Sequence, residues 1–329
     1  MEIIVTGAGG FLGHRLVKKL LEQSSLAGPE GRAQPIERVV ACDLKLPALP
    51  DDSRVQQVEA DVSASEVPDG LVNRRTGAVF HLAAVVSVAA EQDFDLGMRV
   101  NLDGTRSLLE ACRRSAPGCR FLFASSAAVY GGDLPAVVED GTALAPQTSY
   151  GAQKAIGELL INDYSRRGFV DGRCLRLPTI AVRPGRPNLA ASAFASSIIR
   201  EPLEGREVVC PVPPETPVCI LSPRKVIESF LRAAAVPAAD WGPARVTQLP
   251  GITLTVRDML AALERVAGAA VARRVRFQAD PVIQRIVAGW PTCFDSVKSR
   301  RLGFTADRSM DDVISAFIED ELRPAGAAA

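Results

Sequence analysis

The chain carries no excess of either charge. Lys+Arg and Asp+Glu both number 38 among 329 residues, for a formal net charge of zero. A nucleic-acid or acidic-membrane partner calls for a basic excess, so neither is expected. Long hydrophobic runs are missing too: no stretch reaches the roughly 18 apolar residues that span a bilayer. Glu2 stands where a secretory leader carries positive charge, and the apolar run Ile3–Val5 is too short for one. Aromatic residues are scarce at 5%. The seven cysteines (Cys42, Cys112, Cys119, Cys174, Cys210, Cys219 and Cys293) are odd in number and form no CxxC pair. That argues against a disulfide framework or a metal site and for a reducing cytoplasm. No internal repeat is visible. What is present, 47% hydrophobic and 23% charged residues, is an ordinary globular composition with enough length for a sizeable core.

Strand-like and helix-like segments alternate through the first half. Glu2–Thr6, Arg38–Asp43, Arg54–Asp61, Ala78–Ala84, Cys119–Ser125 and Arg173–Ile180 read as six strands, the last stopped by Pro178. Phe11–Gln23, Asn101–Arg114 and Tyr150–Arg166 carry helical spacing. Ser24–Pro35 reads as a loop. Such alternation predicts βαβ units, hence an α/β fold with a doubly wound parallel sheet. After Ile180 the pattern changes. Ala190–Arg200, Arg224–Ala235, Thr255–Ala267 and Asp311–Leu322 read as helices, with Ser222–Pro223 as a start signal. Residues 1–180 form the expected cofactor domain, with 216–240 returning to it. Residues 181–329 are mainly a smaller substrate-binding cap. The last residues, from Pro324, read as a tail.

Ligands on such a sheet bind at the carboxyl ends of the strands. At the first of these, Gly7, Gly10 and Gly13 fall at GxxGxxG spacing between a strand and a helix. Gly7 suits the tight turn, Gly10 the close approach of a pyrophosphate, and Gly13 close packing of helix on sheet. Phe11 and Leu12 open the helix, whose N-terminus offers free N–H groups to phosphate. Asp43 ends the second strand, where an acid accepts from ribose hydroxyls and repels a 2′-phosphate. Lys45 softens that repulsion, so NAD is favoured over NADP without excluding it. Asp61 and Val62 are placed at the adenine edge. Ala83 and Ala84 leave room for the cofactor, while His81 before them is read as a core residue. Asn101 is read as a helix N-cap that also orders a group behind Lys154.

Tyr150 and Lys154 stand four residues apart on one helical face. A free tyrosine is a poor base at neutral pH. At roughly 4 Å and an effective dielectric of about 20, an ammonium attracts a phenolate by about 4 kcal/mol. That is expected to let Tyr150 take a hydroxyl proton near neutral pH. Ser126, at the end of the fifth strand, can hold the substrate oxygen; Ser125 is read as a strand-end cap and Tyr130 as packing.

The glycine loop, Asp43, HLAA (81–84), NLDGT (101–105), SSAAVYG (125–131) and Tyr150/Lys154 together resemble the extended short-chain dehydrogenase/reductase family, over nearly the whole chain. The resemblance implies a Rossmann-type sheet, a Ser126–Tyr150–Lys154 triad, bound NAD(P) at the residues above together with Tyr150, Lys154 and Pro178, and a homodimer. Dehydratases of this pattern carry an Asp-Glu pair where this chain has Ala127 and Ala128, so dehydration is not expected. Leu189–Arg200 is small and apolar, with little to grip a diphosphate. Within the family the chain is similar to dehydrogenases that oxidise a four-carbon sugar acid at one hydroxyl. For such a substrate Arg183 is the expected carboxylate fork, with Ser87, Ser126, Thr179 and Asn188 contacting hydroxyls. A nucleotide-sugar epimerase using the same triad is the alternative.

Overall fold

The computed structural model describes residues 1–28, 32–185 and 192–322. Seven parallel strands form its central sheet: β1 (Glu2–Thr6), β2 (Arg38–Asp43), β3 (Val55–Glu59), β4 (Thr76–His81), β5 (Arg120–Ser126), β6 (Asp171–Leu177) and β7 (Val246–Gln248). Their order is β7-β6-β5-β4-β1-β2-β3. Strands β1 and β4 are buried along their whole length, because helices cover both faces. Alternation decides which face each residue serves. Ile3, Val5, Ala78 and Phe80 pack on one side with α1 (Phe11–Leu21) and residues of the later helix Pro223–Ala235. Ile4, Val79, Phe121 and Phe123 pack on the other with α2 (Thr105–Ser115) and α3 (Ser149–Arg166). The strand order reverses between β1 and β4, so a crevice opens above their carboxyl ends.

The C-terminal part has its own small sheet, Thr179–Ile180, Pro217–Leu221 and Ile252–Thr255. It also has its own core, including Phe194, Ile198, Met259, Leu263 and Ile314. Helix α4 (Pro223–Ala235) leaves this part and packs on α1 and on β5 and β6. Helix α5 (Pro281–Ala288) stands beside the cap core through Ile283 and Val287. No helix among the described residues is long and apolar enough to cross a membrane.

Three local expectations change, and one strand was not anticipated. Pro178 does not simply end the sixth strand: β6 stops at Leu177, and Thr179–Ile180 pairs with Ile220–Leu221 in the other sheet. Proline has no N–H to give a ladder, so the chain changes sheets there. Ser25–Ala27 and Ala33–Pro35 form an antiparallel hairpin where a loop was expected. Asn101 is not an N-cap. Helix begins at Phe94, capped by Asp93, which accepts from the Leu96 N–H at 2.9 Å, and continues through Met98–Gly104 into α2. The three residues of β7 carry too little pattern to be read as a strand.

Candidate active site

The glycine loop joins β1 to α1 at the reversal point. Gly7 has φ +74°, and a Cβ there would lie 2.5 Å from the Ala83 nitrogen. Only glycine fits that conformation and that contact. A Cβ on Gly13 would lie 2.0 Å from the Gly7 oxygen, so Gly13 seats α1 directly on the loop. Gly10 differs: a Cβ there would meet only the Gly7 oxygen, at 3.3 Å, and the residue is exposed. Its open side is a cradle that a side chain would fill. Helix α1 has Gly10 as N-cap, no side-chain cap and no acid in its first turn. Phe11 and Leu12 turn their side chains to the core, leaving backbone N–H groups for an anion. These residues fit the pyrophosphate of a dinucleotide.

Asp43 ends β2 beside this loop. Its Oδ2 accepts from the Gly9 N–H at 2.9 Å and its Oδ1 from the Leu44 N–H at 2.7 Å. The carboxylate is thereby aimed, with lone pairs left for hydroxyl donors. Asp61 accepts from the backbone and hydroxyl of Ser63, at 2.8 and 2.6 Å, and Val62 beside it is buried. Half-buried Ala83 and Ala84 follow β4. Asn101 bonds both backbone groups of Val85, at 2.8 and 2.9 Å, and donates to Gln153 Oε1 at 2.7 Å. It therefore fixes the segment after β4 to the helix that carries Tyr150. His81 lies wholly inside the protein, bonded to the Thr6 and Thr105 hydroxyls at 2.7 and 2.9 Å. Burial pushes its pKa down to about 3, with the Lys154 charge adding to the effect.

Helix α3 starts where Thr148 accepts from the Gly151 N–H at 3.1 Å. Tyr150 thus sits in the first turn and Lys154 one turn on. The Lys154 ammonium lies 5.6 Å from the Tyr150 ring centroid and 4.5 Å from that of Phe123. Ser126 caps the turn after β5, accepting from the Ala128 N–H at 3.1 Å. Burial pushes the Tyr150 hydroxyl above its ordinary value, opposed by a hydrogen bond from Ser126 and the charge of Arg183. Burial also pushes Lys154 down to about 7, against the opposing influence of Cys174 and Glu158. The expected pair is therefore present, but the protein alone does not acidify the tyrosine. Desolvation disfavours both charged forms, and a lysine that sheds its proton near neutrality is a weak electrostatic partner.

A cavity of about 190 Å³ collects the other predicted residues: Ser87, Ser126, Tyr150, Pro178, Thr179 and Arg183. Arg183 Nε donates to the Ile180 carbonyl at 2.9 Å and its Nη2 to the Ser192 hydroxyl at 2.9 Å. Those bonds hold the guanidinium in the wall. Asn188 lies outside the described residues. A larger cleft of about 520 Å³ runs between α1 and α4 and contains none of the predicted catalytic residues. The candidate catalytic residues Ser126 and Tyr150 line the smaller cavity.

Sequence reasoning missed three features. The first is a buried ion pair between Glu158 and Arg176, at 2.6 and 2.8 Å, which also takes in Ser125 and Tyr130. Tyr130 is thus more than packing, since Arg176 donates to its hydroxyl at 2.5 Å and the ring lines the cavity. Ser125 donates to Glu158 at 2.5 Å instead of capping the strand end. The signals were legible: Glu158 is one turn past Lys154, and Arg176 lies in an apolar strand. The second is Gln153, the Asn101 partner. The third is the far wall of Ile286, Trp290, Pro291 and Phe294. No local pattern marks it.

A family model described as NAD dependent epimerase/dehydratase family matches residues 3–215. A D-erythronate dehydrogenase of Cupriavidus necator is 52% identical over 320 residues, covering 97% of this chain and 98% of that one. A D-erythronate dehydrogenase of Haemophilus influenzae is 44% identical over 323 residues, covering 98% and 100%. The solved structure of a nucleoside-diphosphate-sugar epimerase from Agrobacterium tumefaciens superposes with a TM-score of 0.91 at 42% identity, covering 98% of this chain and 94% of that one. The family model spans more than half of the chain, the two dehydrogenase relatives are matched over nearly their full length, and the chain belongs to the NAD-dependent epimerase/dehydratase family.

Proposed function

We propose that this protein is an NAD-dependent dehydrogenase that oxidises one hydroxyl of a small sugar acid, D-erythronate or a close relative, to its 2-keto acid. The observation that carries the reading is the cavity itself. It places Ser126, Tyr150, Thr179 and Arg183 around one space of about 190 Å³. Drug-sized ligands occupy roughly 300–1,000 Å³, so this volume suits a few-carbon acid better than a nucleotide sugar. The names of the Cupriavidus necator and Haemophilus influenzae relatives support the same substrate.

Arg183 grips the carboxylate. Ser126 and Thr179 hold hydroxyls, with Ser87 at the rim. Tyr150 takes the proton of the reacting hydroxyl, and Lys154 holds the tyrosine in line. Bound NAD supplies the acceptor for the hydride. Gly7, Gly10, Gly13, the N–H groups of Phe11 and Leu12, and Asp43 would hold it, with Asp61, Val62, Ala83, Ala84, Asn101 and Pro178 nearby. Asp43 favours NAD over NADP, because a 2′-phosphate would meet its carboxylate. Ala127 and Ala128 leave no acid for dehydration. Ile156 and Leu159 are exposed one turn apart on α3, 39% and 67%, with Phe94 at 58% on the neighbouring helix, which supports pairing with a second copy. Sedimentation of the wild type against Leu159→Glu tests the dimer.

The direct test of function is NADH appearance with NAD and a panel of three- to six-carbon sugar acids, beside UDP-galactose and UDP-glucose. Turnover with a four-carbon acid is the expected result. UDP-sugar interconversion without net NADH would instead assign this chain the activity named for the Agrobacterium tumefaciens structure.

A further inference from the structure

Trp290 lines two cavities at once. One is the candidate substrate cavity of about 190 Å³; the other, of about 390 Å³, is bounded also by Val212, Pro213, Gln284, Val287 and Thr292. Among the described residues, none that lines the second cavity is charged. It shares Trp290 with the candidate substrate cavity and has nothing of its own to grip an anion.

The wall that carries the indole is held from several sides. The Trp290 backbone N–H donates to the Val287 carbonyl at 3.0 Å, at the end of α5. The Thr253 hydroxyl donates to the Thr292 carbonyl at 2.5 Å, and the Val138 N–H to the Cys293 carbonyl at 2.9 Å. Phe294 then pairs with Val138 as a short strand, and its ring lies 6.3 Å from that of Tyr130. Trp290 itself packs against the core of the cap. A side chain fixed in this way can discriminate by size, because nearby protein resists its displacement.

We infer that Trp290 is a specificity-determining residue, whose indole partitions the substrate cavity from the space behind it and so limits the acid to about four carbons. The inference rests on the sugar-acid reading above. Truncating a core side chain ordinarily leaves a closed void. Here it would join two existing cavities and admit a longer polyhydroxy acid.

The test compares kcat/KM for four-carbon and six-carbon aldonates in wild type, Trp290→Ala and the milder Trp290→Leu, each with NAD saturating. One methylene more or less in an apolar pocket changes such ratios by about ten- to two-hundredfold. The six-to-four-carbon ratio should rise by that factor in a folded variant. A second arm needs no turnover. In NAD-saturated Tyr150→Phe, addition of the four-carbon acid should shift tryptophan emission. Adding Trp290→Phe should abolish the shift, because the other tryptophan, Trp241, is fully buried. An unchanged ratio in folded variants, or an emission shift that survives Trp290→Phe, overturns the inference and leaves the dehydrogenase reading standing. A wild type inactive on every acid overturns both.

Discussion

Arg176 grips Glu158 with two N–H donors, at 2.8 and 2.6 Å, directly beneath the Tyr150–Lys154 face of α3. Glu158 is 2% exposed and Arg176 8%. A third donor of Arg176 holds the Tyr130 hydroxyl, so the pair ties helix, strand and cavity wall together. Losing one member of such a pair leaves a buried charge uncompensated, at a cost of about 3–5 kcal/mol. Glu158→Leu or Arg176→Met alone should lower the unfolding free energy by that amount. The double variant should lose much less, and denaturant titration of the three proteins checks this. A double variant that loses the sum of the two single losses would show that the pair is not coupled.

Two glycines of one loop should respond differently. Gly13→Ala places a Cβ 2.0 Å from the Gly7 oxygen and should destabilise the fold by about 3 kcal/mol or more. Gly10→Val meets little protein and should fold, yet fill the cradle at the start of α1. Calorimetry should find its NAD affinity lost while its melting temperature stays near wild type. Full affinity in Gly10→Val would place the pyrophosphate elsewhere.

The acid/base assignment separates binding from chemistry. Tyr150→Phe should cut kcat by about 10²–10⁴-fold, the usual worth of general acid–base catalysis, and leave NAD binding nearly intact. Arg183→Lys keeps a charge but not the planar fork. It should raise KM for the acid with kcat little changed, because uniform binding is what it removes. A Tyr150→Phe protein that no longer binds NAD would undo the role given to the tyrosine.

His81 makes stability depend on pH. Its pKa is about 3 in the fold against 6.5 in the unfolded chain, with burial the main cause. Between those values the unfolded chain takes up a proton that the folded state refuses. The stabilisation is whole above 6.5 and drains away as pH falls toward 3. Thermal melts between these limits should show that slope, and His81→Gln, which keeps polar atoms for Thr6 and Thr105, should flatten it. An equal slope in the variant would assign the acid sensitivity to other groups.

Much of the fold was legible because its signals are local. Glu2–Thr6, Arg38–Asp43 and the helix from Tyr150 are apolar runs or helical faces that need no partner to be recognised. The glycine spacing and the Tyr150–Lys154 interval are likewise short-range, and so was the placement of Ser126 at a strand end. Asn101 was misread because a single polar residue looks like a cap wherever helix follows it. Its actual partners, Val85 and Gln153, lie 16 and 52 residues away. Strand β7 was illegible for a related reason: three residues gain strand character only from pairing with Cys174–Arg176.

The amino-acid sequence by itself determined the parallel α/β sheet, the glycine loop between β1 and α1, and the spacing of the candidate acid/base residues Tyr150 and Lys154 on one helix. Each rests on periodicity, on backbone freedom at glycine, or on spacing along one helix. Tertiary structure alone decided what surrounds that chemistry. Burial, a property of packing, set Tyr150 above and Lys154 below their ordinary pKa values. Glu158 met Arg176 only when helix lay against strand, and Trp290 reached the cavity only when the cap closed over the sheet. Cavity size and buried charge arise from contacts between distant segments, and no local pattern of residues encodes them.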